Sequence, residues 1–196
     1  MKGILKTFAS VIMCLGLVST CLAGSTSTAP ITVKATVPQQ SGLQVTISRI
    51  NVPGDTWVPG VTSIDFGTLT YDSTYNIFRA NCYYALDIGV TSNSLSWTIT
   101  HTANSILRSG GTENLNNNVN VVFMKQTSDT SATQIAKVNY AASNGYTISK
   151  SQVSPGWLRI YYGIATGSGD ASGVTPIGAT TTPGTYQGSI VLTLTD

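Results

Sequence analysis

Apolar and polar residues alternate with period two along most of this chain. Ile31, Val33, Ala35 and Val37 alternate with Thr32, Lys34 and Thr36; Leu43, Val45 and Ile47 alternate with Gln44, Thr46 and Ser48. The pattern returns at Ile64 and Phe66, at Cys82, Tyr84, Leu86, Ile88 and Val90, and at Leu95, Trp97 and Ile99. It appears again at Val119, Val121 and Phe123, at Leu158, Ile160, Tyr162 and Ile164, and at Tyr186, Ile190, Leu192 and Leu194. Successive side chains of a strand point to opposite faces, so each run predicts a strand with one apolar face. That makes eight strands, or nine to ten if Gln134–Tyr140 and Tyr146–Ser149 pair as a hairpin across Ser143-Asn144-Gly145. Beyond residue 23, apolar residues never keep helical spacing for three turns.

Turn formers separate the runs: Pro53-Gly54-Asp55, Pro59-Gly60, Ser109-Gly110-Gly111, Asn116-Asn117-Asn118 and Pro183-Gly184. One-sided strands of this length bury their apolar faces by pairing two sheets. The expected fold is therefore all-β, an immunoglobulin-like antiparallel β-sandwich of about 8–10 strands forming one domain over residues 31–196.

The first residues follow a different rule. Lys2 and Lys6 flank a short basic start, Phe8 to Val18 is apolar, and Cys21-Leu22-Ala23 supplies the small residues of a cleavage site. This reads as a signal peptide over residues 1–23, followed by a flexible polar leader over 24–30. The apolar run falls short of the roughly 20 residues a membrane helix needs. A lipoprotein reading through Cys21 is the lesser alternative, because threonine precedes the cysteine. The expected location is exported, at the cell surface or outside the cell, with the periplasm as second choice.

Losing the signal changes the charge. Lys2 and Lys6 depart, leaving eight Lys and Arg against eight Asp and Glu. A neutral mature chain has no field to attract nucleic acid or an anionic membrane. Cys14 and Cys21 leave as well, so Cys82 stands alone, reads as a small core residue and forms no internal disulfide.

Little in the chain suggests catalysis or metal chemistry. His101 is the only histidine, is expected at a strand end, and has no strained Gly-x-Ser-x-Gly turn beside it. Zinc would lack its usual nitrogen and sulfur ligands, and the acids are scattered singly instead of paired across a cleft. Gly167-Ser168-Gly169-Asp170-Ala171-Ser172-Gly173 follows a strand, as a phosphate cradle would. No helix pattern comes after it, so it reads as a connecting loop. No catalytic residue, metal or cofactor is assigned.

Aromatic residues offer the better lead. If Leu158, Ile160, Tyr162 and Ile164 point inward, then Trp157, Arg159 and Tyr161 share the outer face of that strand. Tyr83 faces outward by the same logic, on the side of Asp87. Exposed Trp, Tyr and Arg are enriched at interfaces and sugar platforms. Trp97 reads as core, and Trp57 as a cap at a sheet end.

Two phrases carry a resemblance: Ser63-Ile64-Asp65-Phe66-Gly67-Thr68-Leu69, and Thr182 to Thr195, which reads TPGTYQGSIVLTLT. Together they cover about a tenth of the chain. They resemble phrases of exported bacterial surface proteins, and the second is similar to the last strand of pilin-like and spore-coat-U-like β-sandwiches. The resemblance implies a non-enzymatic structural or adhesive subunit. Its partner would be itself, in a fibre or surface array, with Ile31, Val33, Ala35 and Val37 either opening its own domain or adding as a strand to a neighbour. The alternative is a carbohydrate-binding module using Trp157, Arg159, Tyr161 and Tyr83 on a surface glycan. A secreted hydrolase comes last.

Overall fold

The alternation becomes two packed layers of antiparallel strands. The structure, a computed structural model, describes residues 34–196. The signal segment, the leader, Ile31 and Val33 lie outside the described residues. The strands are β1 (Ser41–Asn51), β2 (Thr56–Val61), β3 (Thr70–Asp72), β4 (Ile77–Arg79), β5 (Cys82–Ser92) and β6 (Thr98–Arg108). β7 (Val119–Ser128), β8 (Ser131–Asn139), β9 (Tyr146–Ser149), β10 (Trp157–Ile164), β11 (Ile177–Gly178) and β12 (Tyr186–Thr195) complete the set. One helical turn, α1 (Lys150–Val153), stands among them.

A six-stranded sheet, ordered β2-β1-β5-β10-β7-β8, packs through the core on a three-stranded sheet ordered β12-β6-β9, and a small third sheet, β11-β4-β3, adds Ile177 and Phe78 to the same core. Every pairing is antiparallel. The fold is thus an all-β sandwich. Its division differs from the four-plus-three strands of an immunoglobulin constant domain, and these orders do not confirm immunoglobulin-type connectivity.

Register explains the core. β10 sets Leu158 opposite Ile88 and Ile160 opposite Leu86, while its other neighbour brings Phe123 against Ile160. These residues are at most 2 % exposed and pack with Ile99 and Ile148 of the opposing sheet. Each such side chain contributes about 1.5–3 kcal/mol of burial, which explains why the central strands keep strict alternation. Cys82 is buried and unpaired, as its position suggested.

Several expectations need correction. Ile64 and Phe66 belong to no strand: residues 62–69 join no sheet among the described residues, although both side chains pack on the core. Tyr146–Ser149 does not pair with Gln134–Tyr140. β8 pairs with β7 and β9 with β6, so the chain changes sheets between them. Tyr140 secures this crossing, its hydroxyl donating to the carbonyls of Asn104 (2.9 Å) and Ser189 (3.0 Å). The strand expected from Leu95 begins at Thr98 instead, which leaves Leu95 fully exposed and Trp97 half-buried.

The chain divides into a compact unit, Pro38–Asp196, and a second unit, Met1–Val37. Within the second, Lys34–Val37 carries no secondary structure and is exposed. Ala35 and Val37 therefore do not open the domain as a strand. The start of the compact unit is tied down by two hydrogen bonds: Asn93 Nδ2 donates to the Pro38 carbonyl and Gln39 Nε2 to Asp196. Pro38 thus lies at the Asp196 end of β12.

Candidate functional site

Two features stand out, one on each face of the six-stranded sheet. On the outer face, the alternation of β10 places Trp157, Arg159 and Tyr161 together, and pairing sets Arg159 opposite Asp87 and Tyr161 opposite Ala85. Arg159 is not the exposed residue expected; only 7 % of it is exposed. Its Nε donates to Asp87 Oδ1 at 2.6 Å and its Nη2 to Oδ2 at 2.9 Å, the two-pronged geometry that suits a guanidinium. With the Gln126 amide nitrogen turned toward the Ser128 and Ser131 carbonyls, its oxygen accepts from Arg159 Nη1 at 3.2 Å. Trp157 Nε1 also donates to Asp87, at 2.8 Å.

Aromatic rings enclose the guanidinium. Its carbon lies 4.8 Å from the Trp57 ring centre and 6.0 Å from those of Trp157 and Tyr161. Trp57 lies on β2 and Arg159 on β10, with β1 and β5 between them. Their contact therefore bridges two strands, over Ser48 and Ala85, small residues opposite one another on the same face and both buried. A larger side chain at either position would lift the bridge. Burial acts to lower the Arg159 pKa, but the bonds to Asp87 and Tyr161 outweigh it and leave the group raised.

Tyr83 joins the same face, its ring 6.1 Å from that of Tyr161. Its hydroxyl donates to Asp55 at 3.2 Å, and burial together with the Asp55 charge pushes the phenol up to about 12. The structure thus unites all four sequence-selected residues. Asp87, expected on the Tyr83 side, lies among them, and the structure adds Trp57 and Asp55, which alternation did not collect: Trp57 reaches the cluster through its register opposite Ile50, and Ile50 lies opposite Tyr83.

The second feature is a groove of about 740 Å³ on the inner side. One wall is residues 62–66 and the other is the start of β12, Thr185 to Ile190. Ile47, Ile106, Val119 and Tyr162 contribute apolar floor. β12 pairs only with β6 among the described residues, so its outer edge is open. Gly188 forms a bulge there, where a Cβ would press on Ile106 and the Asn104 carbonyl. The two phrases that carried the resemblance thus form the two walls.

The remaining candidates are engaged elsewhere. His101 lies within β6, completely buried, not at a strand end. Its Nδ1 donates to the Ser143 carbonyl (2.9 Å), so its Nε2 accepts from the Tyr162 hydroxyl (2.7 Å). Burial lowers its pKa and holds it neutral. In the glycine loop, the Asp170 carboxylate accepts from the Thr166 and Gly167 amides, the groups a phosphate would need. Among the described residues there is no group of three or more His, Cys, Asp or Glu placed to hold a metal, and no helix is long and apolar enough to cross a membrane. Comparison with protein-family models, curated proteins and solved structures returned no match.

Proposed function

We propose that this protein is a non-enzymatic, exported structural subunit of the cell surface or extracellular space, joined to its neighbours by strand addition. The observation that carries the reading is the open groove beside the unpaired edge of β12. An open edge offers backbone N–H and C=O groups to any extended segment, and an apolar floor offers pockets for its alternate side chains. Ile31, Val33, Ala35 and Val37 have the required spacing.

In this reading the recipient is a neighbour. The compact unit starts at the Asp196 end of β12, and the groove begins at Ile190, six residues or roughly 20 Å away along a strand. A segment of one copy entering the groove of the next makes a head-to-tail contact, which builds a filament unless its rotation closes a ring. Burying three β-branched side chains contributes roughly 4–9 kcal/mol before costs. Association itself costs an estimated 4–15 kcal/mol, so strand hydrogen bonds must add to the apolar term. Engagement of both ring nitrogens of His101 in the core supports the non-enzymatic part of the reading.

Size-exclusion chromatography and negative-stain microscopy of the secreted protein test it. Concentration-dependent oligomers or fibres are expected; a monodisperse monomer at high concentration would count against the reading.

A further inference from the structure

The outer-face cluster carries more than a covering role requires. Trp57 lies on the edge strand β2 and is 41 % exposed, despite its contact with Arg159. The rings are held from within: Asp87 fixes Arg159 and Trp157, and Asp55 fixes Tyr83. A platform ordered in advance loses little freedom when a ligand stacks on it.

We propose that Trp57, Tyr83 and Tyr161 form a binding platform for a neutral glycan. Two quantities select this ligand. The first is area. An aromatic side chain presents about 150–250 Å² in full, so three partly exposed rings offer at most about 250 Å². A stable protein partner needs roughly 800 Å² from each side, whereas a sugar ring or two fits the smaller patch. The second is charge. Arg159 neutralises Asp87, and Asp55 has no ion-pair partner among the described residues. The patch is left with one unbalanced carboxylate, which repels phosphate, sulfate and sialic acid and accepts hydrogen bonds from sugar hydroxyls. The hydroxyls of Tyr83 and Tyr161 supply further polar contacts at the ring edges. The platform lies on the opposite face from the groove, so the two sites succeed or fail separately.

The full-length secreted protein is titrated with soluble hexamers of glucose, mannose and N-acetylglucosamine, and with a sialylated trisaccharide. Binding is read by calorimetry and by tryptophan fluorescence. At least one neutral hexamer should bind saturably and the acidic sugar should not. Trp57→Ala should weaken that binding tenfold or more while the domain stays folded by circular dichroism, whereas Trp97→Ala should leave it unchanged. If Trp57→Ala fails to fold, Asp55→Asn serves instead and should weaken binding at least threefold. The proposal is overturned if no neutral hexamer binds, if the acidic sugar binds better, or if neither variant changes the affinity.

Discussion

Replacing Arg159 with alanine should destabilise the domain far more than its place on an outer sheet face suggests. The Arg159 guanidinium makes two charge-assisted hydrogen bonds to Asp87, each worth about 1.5–3 kcal/mol. Stacking over Trp57 adds about 0.5–2 kcal/mol. The loss is smaller than this sum, because the Asp87 side chain is 28 % exposed and water recovers part of its charge. The expected cost is about 2–4 kcal/mol, against a total stability of about 5–15 kcal/mol. Urea unfolding followed by tryptophan fluorescence reads this as a midpoint lowered by about 1–2 M, with a slope near 2 kcal/mol per molar. Asp87→Asn and the double variant complete a cycle, whose coupling energy should exceed about 1.5 kcal/mol. Arg108→Ala is the internal control: its partner Glu113 is 41 % exposed, so this change should shift the midpoint far less. A cost below about 1 kcal/mol for Arg159→Ala would refute the reasoning and reduce the pair to an ordinary surface contact.

The remaining predictions concern the core. His101 is neutral and buried in the folded state but accepts a proton once unfolded, so the unfolded chain binds more protons as pH falls below about 6.5. Stability should therefore be fully present above that pH and fall by up to about 1.4 kcal/mol per pH unit down to pH 5. Flat urea midpoints over that range would contradict this, since no other histidine competes. Gly156 has φ 134°, and a Cβ there would run into the Gln126 carbonyl oxygen; Gly156→Ala should cost more than about 1 kcal/mol by calorimetry. Native Cys82 should resist a thiol reagent and react at once in denaturant, as a time course of labelling will show.

Legibility followed the range of the interactions. β5 and β10 were readable because each has an apolar face packed against the second sheet, which enforces period two. Ile64 and Phe66 show that alternation reports burial and not pairing: both are half-buried against the core, and Phe66 sets its ring edge-on to Tyr84 at 5.5 Å, without a partner strand. β3, β4 and β11 are two or three residues long, too short to leave a pattern. The break between β8 and β9 depends on where the Tyr140 hydroxyl bonds, a distant contact with no local signal. In the outer cluster, β10 alone announced Trp157, Arg159 and Tyr161. Trp57 joined them through strand register, Asp55 through the turn before β2, and the burial of Arg159 followed from its neighbours, none of which spacing along one strand encodes.

In the proposed strand addition, the Ile31–Val37 segment of one copy fills the groove beside β12 of another. A synthetic peptide spanning residues 30–38, titrated into the domain beginning at Pro38, tests it most directly by amide hydrogen exchange. Saturable binding is expected, slowing exchange along β12 and residues 62–66, with that effect lost when Val33 of the peptide is replaced by aspartate. Unchanged exchange along β12 at saturating peptide, or equal protection by the aspartate peptide, would contradict it.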